Sequence, residues 1–346
     1  MPTWSGILNE LSETSGKARP PQFDSVRRKY LAMLCRYTNR ETILYASKWT
    51  QPAPNVSPDL ISIVDEDIQG VMEVIHGLSG PKLDLILHSP GGSLEATEAL
   101  VSYLRSKFDH IRVIVPQMAM SAATMIACAA DEIVLGKHSF LGPVDPQVIL
   151  ATPLGQRMVP AQAILDQFEQ AKEECADPAR LAAWLPMLNQ YGPDLLMQCR
   201  NALELSSSLV QTWLETYMFK GDCKARVKAE GIAKWLANHG EFKTHGRHIP
   251  RTEVERRGLK VRHLEEDQTE QDLVLSVFHA TTHTFAGTIA VKIIENNLGK
   301  AFIKQSRPIA GPYPGQEKTR VPYDDDNEPV VPPEDRSTSR KRQSKS

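Results

Sequence analysis

The sequence predicts an α/β fold built on a parallel β-sheet. Between residues 82 and 136, three apolar segments of strand length alternate with two helical segments. Parallel strands need crossover connections, and a helix is the usual crossover. The chain has 346 residues, of which 41% are hydrophobic and 24% are charged. This length and composition suffice for one large domain or two small ones with a buried core.

The core segments follow from local patterns. Short apolar runs bounded by turn residues indicate buried strands. Apolar residues that recur at helical spacing, or a run of small apolar residues, indicate helices that pack on a sheet. On these patterns the strands are KLDLILHS (82–89), HIRVIVPQ (110–117) and DEIVLG (131–136), and the helices are SLEATEALVSYLRSKF (93–108) and SAATMIACAA (121–130).

The flanking regions complete the predicted organisation. Residues 1–21 are polar, end in two prolines and predict a flexible N-terminal arm. From Lys304 onward the chain is rich in proline and charge, which predicts a disordered tail over 304–346. The predicted domain is therefore 22–303. Its other elements are a helix at 22–38, a strand at 41–47, a proline-containing loop at 50–58, a helix at 64–78, a helical insertion at about 160–238 and a helix at 271–286.

Charge and cysteine content exclude several classes of protein. Lys and Arg number 40 against 42 Asp and Glu, so no basic excess favours nucleic acid or an anionic membrane surface. The 5 cysteines are scattered and form no CxxC pair, which argues against a disulfide framework and a zinc site. No apolar run of about 18 residues is present, and the N-terminus lacks the pattern of a secretory signal. We therefore expect a cytoplasmic protein.

Two turns carry the chemistry that the residues themselves suggest. Pro90, Gly91 and Gly92 follow the strand at 82–89, where glycines can present backbone N–H groups to a ligand. Ser121 follows the next strand and opens a helix, where it can either cap the helix or act as a nucleophile. Because parallel strands end at one edge of a sheet, we expect the two turns to meet. Together they can supply a nucleophile and an oxyanion site.

The same segments resemble a known family. LDLILHSPGGSLEATEALVSYLR and IRVIVPQMAMSAATMIACAADEIVLGKHSFLGPVDPQ are similar to the serine dehydrogenase proteinase family. That family belongs to the Clp protease/crotonase superfamily and is related to signal peptide peptidase A. Further family-like segments appear in order, so the resemblance covers about residues 23–285. It implies a Clp/crotonase-like fold of repeated ββα units, here with an added helical region.

The resemblance also implies a set of site residues. Ser121 matches the serine of the family's AMS segment and is the expected nucleophile. The oxyanion N–H groups are expected from Gly91 or Gly92 and from Ala122. Ala123 departs from the family pattern AMSAGT, which has glycine at this position. Since alanine adopts helical angles readily, the change is compatible with a helix that starts here.

The general base stays open between two schemes. A Ser–Asp–His order assigns Asp145 and His245, in which the histidine takes the serine proton and the aspartate orients the ring. The Ser–Lys pair of the signal peptide peptidases assigns Lys172 instead, as a lysine desolvated enough to lose its proton. Each residue also has an ordinary structural interpretation. Asp145 suits a turn before proline, His245 suits an exposed loop, and Lys172 lies among glutamates as on a solvated helix face.

The function that these expectations define is a serine peptidase that hydrolyses peptide bonds through an acyl-enzyme on Ser121. It needs no cofactor or metal, takes a peptide or protein substrate, and by its family forms a homo-oligomer. Two alternatives remain at this stage. One is a non-catalytic interaction module that kept the fold, and the other is a crotonase-like acyl-CoA enzyme that uses the same oxyanion site.

Overall fold

The fold is described by a computed structural model, which covers residues 3–14, 21–51, 56–152 and 155–306. All of these residues belong to one compact unit. Its strands are β1 (Glu41–Ser47), β2 (Lys82–His88), β3 (His110–Val115), β4 (Met118–Ala119), β5 (Glu132–Leu135), β6 (Phe140–Leu141), β7 (Gln147–Thr152), β8 (Gly155–Pro160), β9 (Ile249–Pro250), β10 (Val261–His263), β11 (Ala290–Asn296) and β12 (Ala301–Gln305).

The central sheet has seven strands in the order β10-β5-β3-β2-β1-β11-β12. The five strands from β10 to β1 run parallel, and β11 is antiparallel to both of its neighbours. A three-stranded sheet (β4-β6-β9) and the hairpin β7–β8 stand beside it. The predicted α/β class with a mostly parallel sheet is confirmed, and the strands predicted at 41–47, 82–89, 110–117 and 131–136 are all present.

Helices cover both faces of the central sheet. Alternate residues of β2 show the two layers: Leu85 packs in the core that includes the helices after β2, and Ile86 packs in the core with the first and last long helices. No helix in the described residues is long and apolar enough to cross a membrane. The helices are α1 (Trp4–Thr14), α2 (Phe23–Thr38), α3 (Pro58–Ile61), α4 (Asp67–Ile75), α5 (Leu94–Lys107), α6 (Ala122–Cys128), α7 (Ala161–Glu174), α8 (Pro178–Leu188), α9 (Leu195–Trp213), α10 (Ala225–Leu236), α11 (His239–Phe242), α12 (Arg251–Arg256) and α13 (Gln268–Gly287).

The N-terminal region differs from the flexible arm predicted over residues 1–21. Residues 4–14 form helix α1, and its Ile7 and Leu11 are buried against Val26 and Ala280. Two apolar residues four positions apart lie on one helical face, and burial of that face stabilises the helix. The helix was not predicted because most of its other residues are polar. Residues 1–2 and 15–20 of the predicted arm lie outside the described residues.

The C-terminal end of the domain also differs from the prediction. Strands β11 and β12 were not anticipated, and β12 continues to Gln305, beyond the boundary placed at residue 303. Buried charged residues, including Lys292 and Glu295 in β11, break the apolar pattern that marks a strand. Lys304 lies within β12 and its ammonium is 3.0 Å from the carboxylate of Asp67, so it belongs to the fold and does not begin a tail. Residues 307–346 of the predicted tail lie outside the described residues.

Candidate active site

The glycine turn and the serine turn meet at one edge of the sheet, as the sequence predicts. Ser89, which follows β2, donates its N–H to the carbonyl of Met118 at 3.3 Å, and its own carbonyl accepts from the N–H of Met120 at 3.0 Å. Gly91 has a φ of 98°, and a Cβ added to it would lie 2.7 Å from the carbonyl oxygen of Met120. Only glycine fits so close to the backbone beside Ser121.

Ser121 has a backbone conformation that costs energy and that no capping bond explains. Its φ of 52° and ψ of −121° lie outside the regions that residues with a Cβ favour. Such a residue stores on the order of 1–3 kcal/mol of strain, which a fold keeps mainly at functional sites. The Ser121 side chain makes no capping hydrogen bond to α6. The structure therefore excludes helix capping as its role and leaves a half-buried hydroxyl at a sharp strand-to-helix turn.

The backbone N–H groups around this turn differ in their availability. The N–H of Gly91 donates to the Ser89 hydroxyl at 3.2 Å. In the part of the chain that the structure describes, no oxygen accepts from the N–H of Gly92 or of Ala122. Of the two glycines that the sequence left open, Gly92 thus has the free donor. Ala123 is buried in α6 and its N–H bonds the carbonyl of Met120 at 2.9 Å, so alanine fits where the family has glycine.

A second cluster surrounds Asp145. Its carboxylate is buried and accepts from two imidazoles, with Oδ1 2.7 Å from His245 Nδ1 and Oδ2 2.8 Å from His239 Nδ1. The side-chain amide of Gln147 donates to Oδ2 at 3.2 Å. An ionised carboxylate only accepts hydrogen bonds, so each Nδ1 carries the proton. Each Nε2 is then the ring atom that can accept a proton.

The small sheet links this cluster to Ser121. Strand β4, which leads into Ser121, pairs with β6, and β6 pairs with β9. Asp145 follows β6, and His245 precedes β9. The Thr124 hydroxyl adds a second link, because it donates to the carbonyl of Ala119 at 2.8 Å and accepts from the N–H of Gly142 at 3.0 Å. Within the described residues, the Ser121 hydroxyl makes no hydrogen bond to either imidazole.

Lys172 has different surroundings. It lies on α7, where its side chain is 58% exposed and its Nζ is 2.6 Å from the carboxylate of Glu169, three residues earlier. A lysine that acts as a base must lose hydration so that its neutral form is favoured. The structure instead places Lys172 on a solvated helix face, and it does not bring Lys172 into contact with Ser121 or Asp145.

His239 is the site residue that the sequence analysis missed. It begins α11, a short helix whose first turn is capped by Asn238. The available signal was a second histidine six positions before His245 in the same connecting segment. Spacing alone does not show that two histidines share one carboxylate, because that depends on how the chain folds back onto Asp145.

A buried histidine precedes the glycine turn in the chain. His88 is the last residue of β2, and its ring centroid lies 5.6 Å from that of Trp49 and 5.1 Å from that of Phe278. Burial lowers the pKa of His88 to about 4. The ring is therefore neutral at pH 7 and packs against Trp49 and Phe278.

Comparison with known proteins agrees with this architecture. The fold is of the ClpP-like α/β type, and the model of the ClpP-like SDH-type serine proteinase family matches residues 61–183. This confirms the family resemblance over that segment, which is narrower than the range of 23–285 expected from the sequence. The matched segment 61–183 contains both turns and Asp145, whereas His239 and His245 lie beyond it.

Two curated relatives are each similar to about a third of the chain or less. Both are uncharacterised proteins of Methanocaldococcus jannaschii. One is 39% identical over 120 residues, which is 34% of this chain and 39% of the relative. The other is 40% identical over 95 residues, which is 28% of this chain and 30% of the relative. The chain thus matches less than half the length of each relative.

Proposed function

We propose that the protein is a serine peptidase that cleaves peptide bonds through an acyl-enzyme on Ser121. The main support for the proposal is the strained turn at Ser121, which lies against Gly91 and beside two N–H groups that find no acceptor among the described residues. The family of serine proteinases that matches residues 61–183 supports the same reaction.

The proposed reaction assigns each group one role. The Ser121 hydroxyl oxygen attacks the carbonyl carbon of the substrate, and its proton passes to Nε2 of His245. The N–H groups of Gly92 and Ala122 donate to the oxygen that becomes negative. The protonated imidazole then gives its proton to the leaving amine, and water hydrolyses the ester by the same route in reverse. Asp145 keeps the His245 ring in the required tautomer and stabilises its charged form without taking the proton.

His245 is the proposed base because of its place in the chain. It precedes β9, which shares the small sheet with the strand that leads into Ser121. Catalytic hydrogen bonds are often long before substrate binds, so the serine–histidine bond is expected to form in the complex. The solvated surroundings of Lys172 favour this scheme over the serine–lysine scheme.

The proposal also includes the extent of the domain, the oligomeric state, the substrate class and the location. Residues 22–303, extended by β12, form the proposed peptidase domain. Similarity to a Clp-like serine proteinase family over residues 61–183 supports a homo-oligomer that acts on peptide or protein substrates, and a cytoplasmic location remains part of the proposal.

Labelling with a fluorescent fluorophosphonate tests the proposal. The reagent reacts with a nucleophilic serine, and the phosphoryl oxygen occupies the oxyanion site. We expect the wild-type protein to be labelled and Ser121→Ala to lose the label. Ser106→Ala is the matched control, because Ser106 is an exposed helical serine on α5. Absence of labelling in the folded wild-type protein would favour the non-catalytic module, and labelling that persists in Ser121→Ala would overturn the assignment of the nucleophile.

A further inference from the structure

A three-residue backbone segment packs directly against the glycine turn. It consists of Ser62, Ile63 and Val64 and is called the 62–64 segment below. The N–H of Ile63 donates to the carbonyl of Gly91 at 2.8 Å, and the carbonyl of Ile63 accepts from the N–H of Ser93 at 2.9 Å. These two bonds enclose Gly92, the residue with the free N–H.

The backbone of Ile63 packs so closely against Gly92 that no side chain fits between them. A Cβ added to Gly92 would lie 2.2 Å from the carbonyl oxygen of Ile63 and 2.4 Å from its nitrogen. Ile63 itself is fully buried. The 62–64 segment therefore fixes where the Gly92 peptide lies, and a shift of this segment shifts the N–H donor with it.

A buried ion pair holds the 62–64 segment at both ends. The ammonium of Lys292, on β11, donates to the carbonyl of Ser62 at 2.6 Å. The carboxylate of Asp67, on α4, accepts from the N–H of Val64 at 3.1 Å. Lys292 and Asp67 bond each other at 2.7 Å, and both side chains are completely buried. The pair thus connects a strand, a helix and the segment beside the glycine turn.

The ion pair is enclosed by further polar groups. The Tyr45 hydroxyl donates to Asp67 at 2.6 Å, and Lys304 lies 3.0 Å from the same carboxylate and 2.9 Å from that of Glu66. Burial lowers the pKa of Lys292 to about 8 in spite of Asp67. Burial alone would raise the pKa of Asp67, but the neighbouring ammonium groups hold it below its ordinary value.

A buried ion pair such as Lys292–Asp67 is expected to contribute little to the free energy of unfolding. Desolvating two charges offsets most of their attraction, and apolar residues of similar volume often serve the fold equally well. What apolar residues cannot do is donate to the carbonyl of Ser62 and accept from the N–H of Val64. The pair therefore has a geometric role that its contribution to stability does not account for.

We propose that Lys292 and Asp67 are positioning residues that hold the N–H of Gly92 in place through the 62–64 segment. This inference rests on the proposed function, since it concerns the oxyanion site of that reaction. Neither side chain touches the substrate in this scheme. The pair acts on the rate only through the backbone that it orders.

The test compares Lys292→Met with Lys304→Met. Lys304 bonds the same Asp67 carboxylate but makes no bond to the 62–64 segment, so its variant controls for the loss of a buried charge. Because removing one oxyanion donor lowers a rate by about 10²–10³-fold, misplacing it in Lys292→Met should slow fluorophosphonate labelling roughly 10- to 100-fold. With a peptide substrate the loss should appear in kcat more than in KM. The labelling rate of Lys304→Met should stay within about twofold of wild type.

Amide hydrogen exchange gives a readout that does not depend on catalysis. Lys292→Met should speed exchange of the Ser93 N–H, which bonds Ile63, more than Lys304→Met does. Equal labelling rates in the two variants, or an unchanged exchange rate at Ser93, would overturn the positioning role. If wild-type labelling does not depend on Ser121, the proposed function fails instead, and the exchange rate still tests whether the pair holds the turn.

Asp67→Asn tests the same role if Lys292→Met does not fold. Asp67→Asn retains an oxygen that can accept from Val64 and Tyr45, but it removes the charge that pairs with Lys292. We expect slower labelling and faster exchange at Ser93, each by several-fold. Wild-type values for both in the folded Asp67→Asn protein would contradict the proposal.

Discussion

Single residues around Asp145 decide how the two histidines can act. A buried carboxylate needs hydrogen-bond donors, and Asp145 has one imidazole on each oxygen. Both rings are thereby held in the tautomer that leaves Nε2 available. The two histidines lie in different secondary-structure elements, since His245 is in the loop before β9 and His239 begins α11. The loop of His245 leads directly into β9, which the small sheet ties to the strand before Ser121, whereas the rest of α11 separates His239 from that loop.

This difference predicts unequal effects of matched substitutions. His245→Gln should lower the labelling rate by about 10²–10⁴-fold, the usual contribution of a general base. His239→Gln removes the same kind of bond to Asp145 and serves as the control, with an expected loss of less than about tenfold. Rate constants for fluorophosphonate labelling at pH 7.5 measure both. If the loss were larger for His239→Gln, His239 would be the base and the assignment of His245 would be wrong.

Strands and turns were predictable from the sequence where the pattern of apolar residues was regular. The strands at 82–89 and 110–117 are buried on both faces, so their high apolar content identified them although they contain Asp84 and Arg112. Strand β11 contains Lys292 and Glu295, whose charges are paired by residues distant in sequence, and no local pattern revealed it. In the same way, the two turns of the site were predictable because each follows a strand. His239 was not, because its partner lies 94 positions away; His245 is 100 positions from the same partner and was expected only from the family resemblance.

Helix α1 offers a test of an element that the sequence concealed. Leu11 is 1% exposed and Leu8 is 42% exposed on the same helix. Leu11→Ala should lower the free energy of unfolding by about 2–3 kcal/mol through lost burial and the cavity that remains. Leu8→Ala should change it by less than about 0.5 kcal/mol. Urea unfolding of both variants measures the difference. Equal effects would show that α1 is not packed on α2 and α13 in solution.

For the molecule as a whole, the buried His88 makes stability depend on pH. Its pKa is about 4 in the folded protein, against an ordinary value of 6.5. Above pH 6.5 the ring is neutral in both states. As pH falls from 6.5 towards 4, His88 binds a proton in the unfolded chain but stays neutral in the folded protein. The free energy of unfolding therefore decreases. Over this whole range the loss from His88 is about 3 kcal/mol.

His88→Phe isolates this contribution. Phenylalanine keeps an aromatic ring beside Trp49 and Phe278 but cannot take up a proton. Between pH 7 and pH 4.5, the wild-type protein should lose roughly 2–3 kcal/mol more stability than the variant. Urea unfolding at the two pH values measures this, and the difference cancels the effect of carboxylates common to both proteins. The same acid dependence in both would mean that His88 is not buried as a neutral ring.

Mass spectrometry of the acid-quenched reaction can locate the acyl group that the proposed mechanism places on Ser121. After reaction with an activated ester, trypsin should release the fragment of residues 113–137, in which Ser121 is the only serine. We predict that this fragment carries the acyl group at Ser121 and that the adduct is absent from Ser121→Ala. An acyl group on another residue, or peptide cleavage by Ser121→Ala at the wild-type rate, would contradict the account.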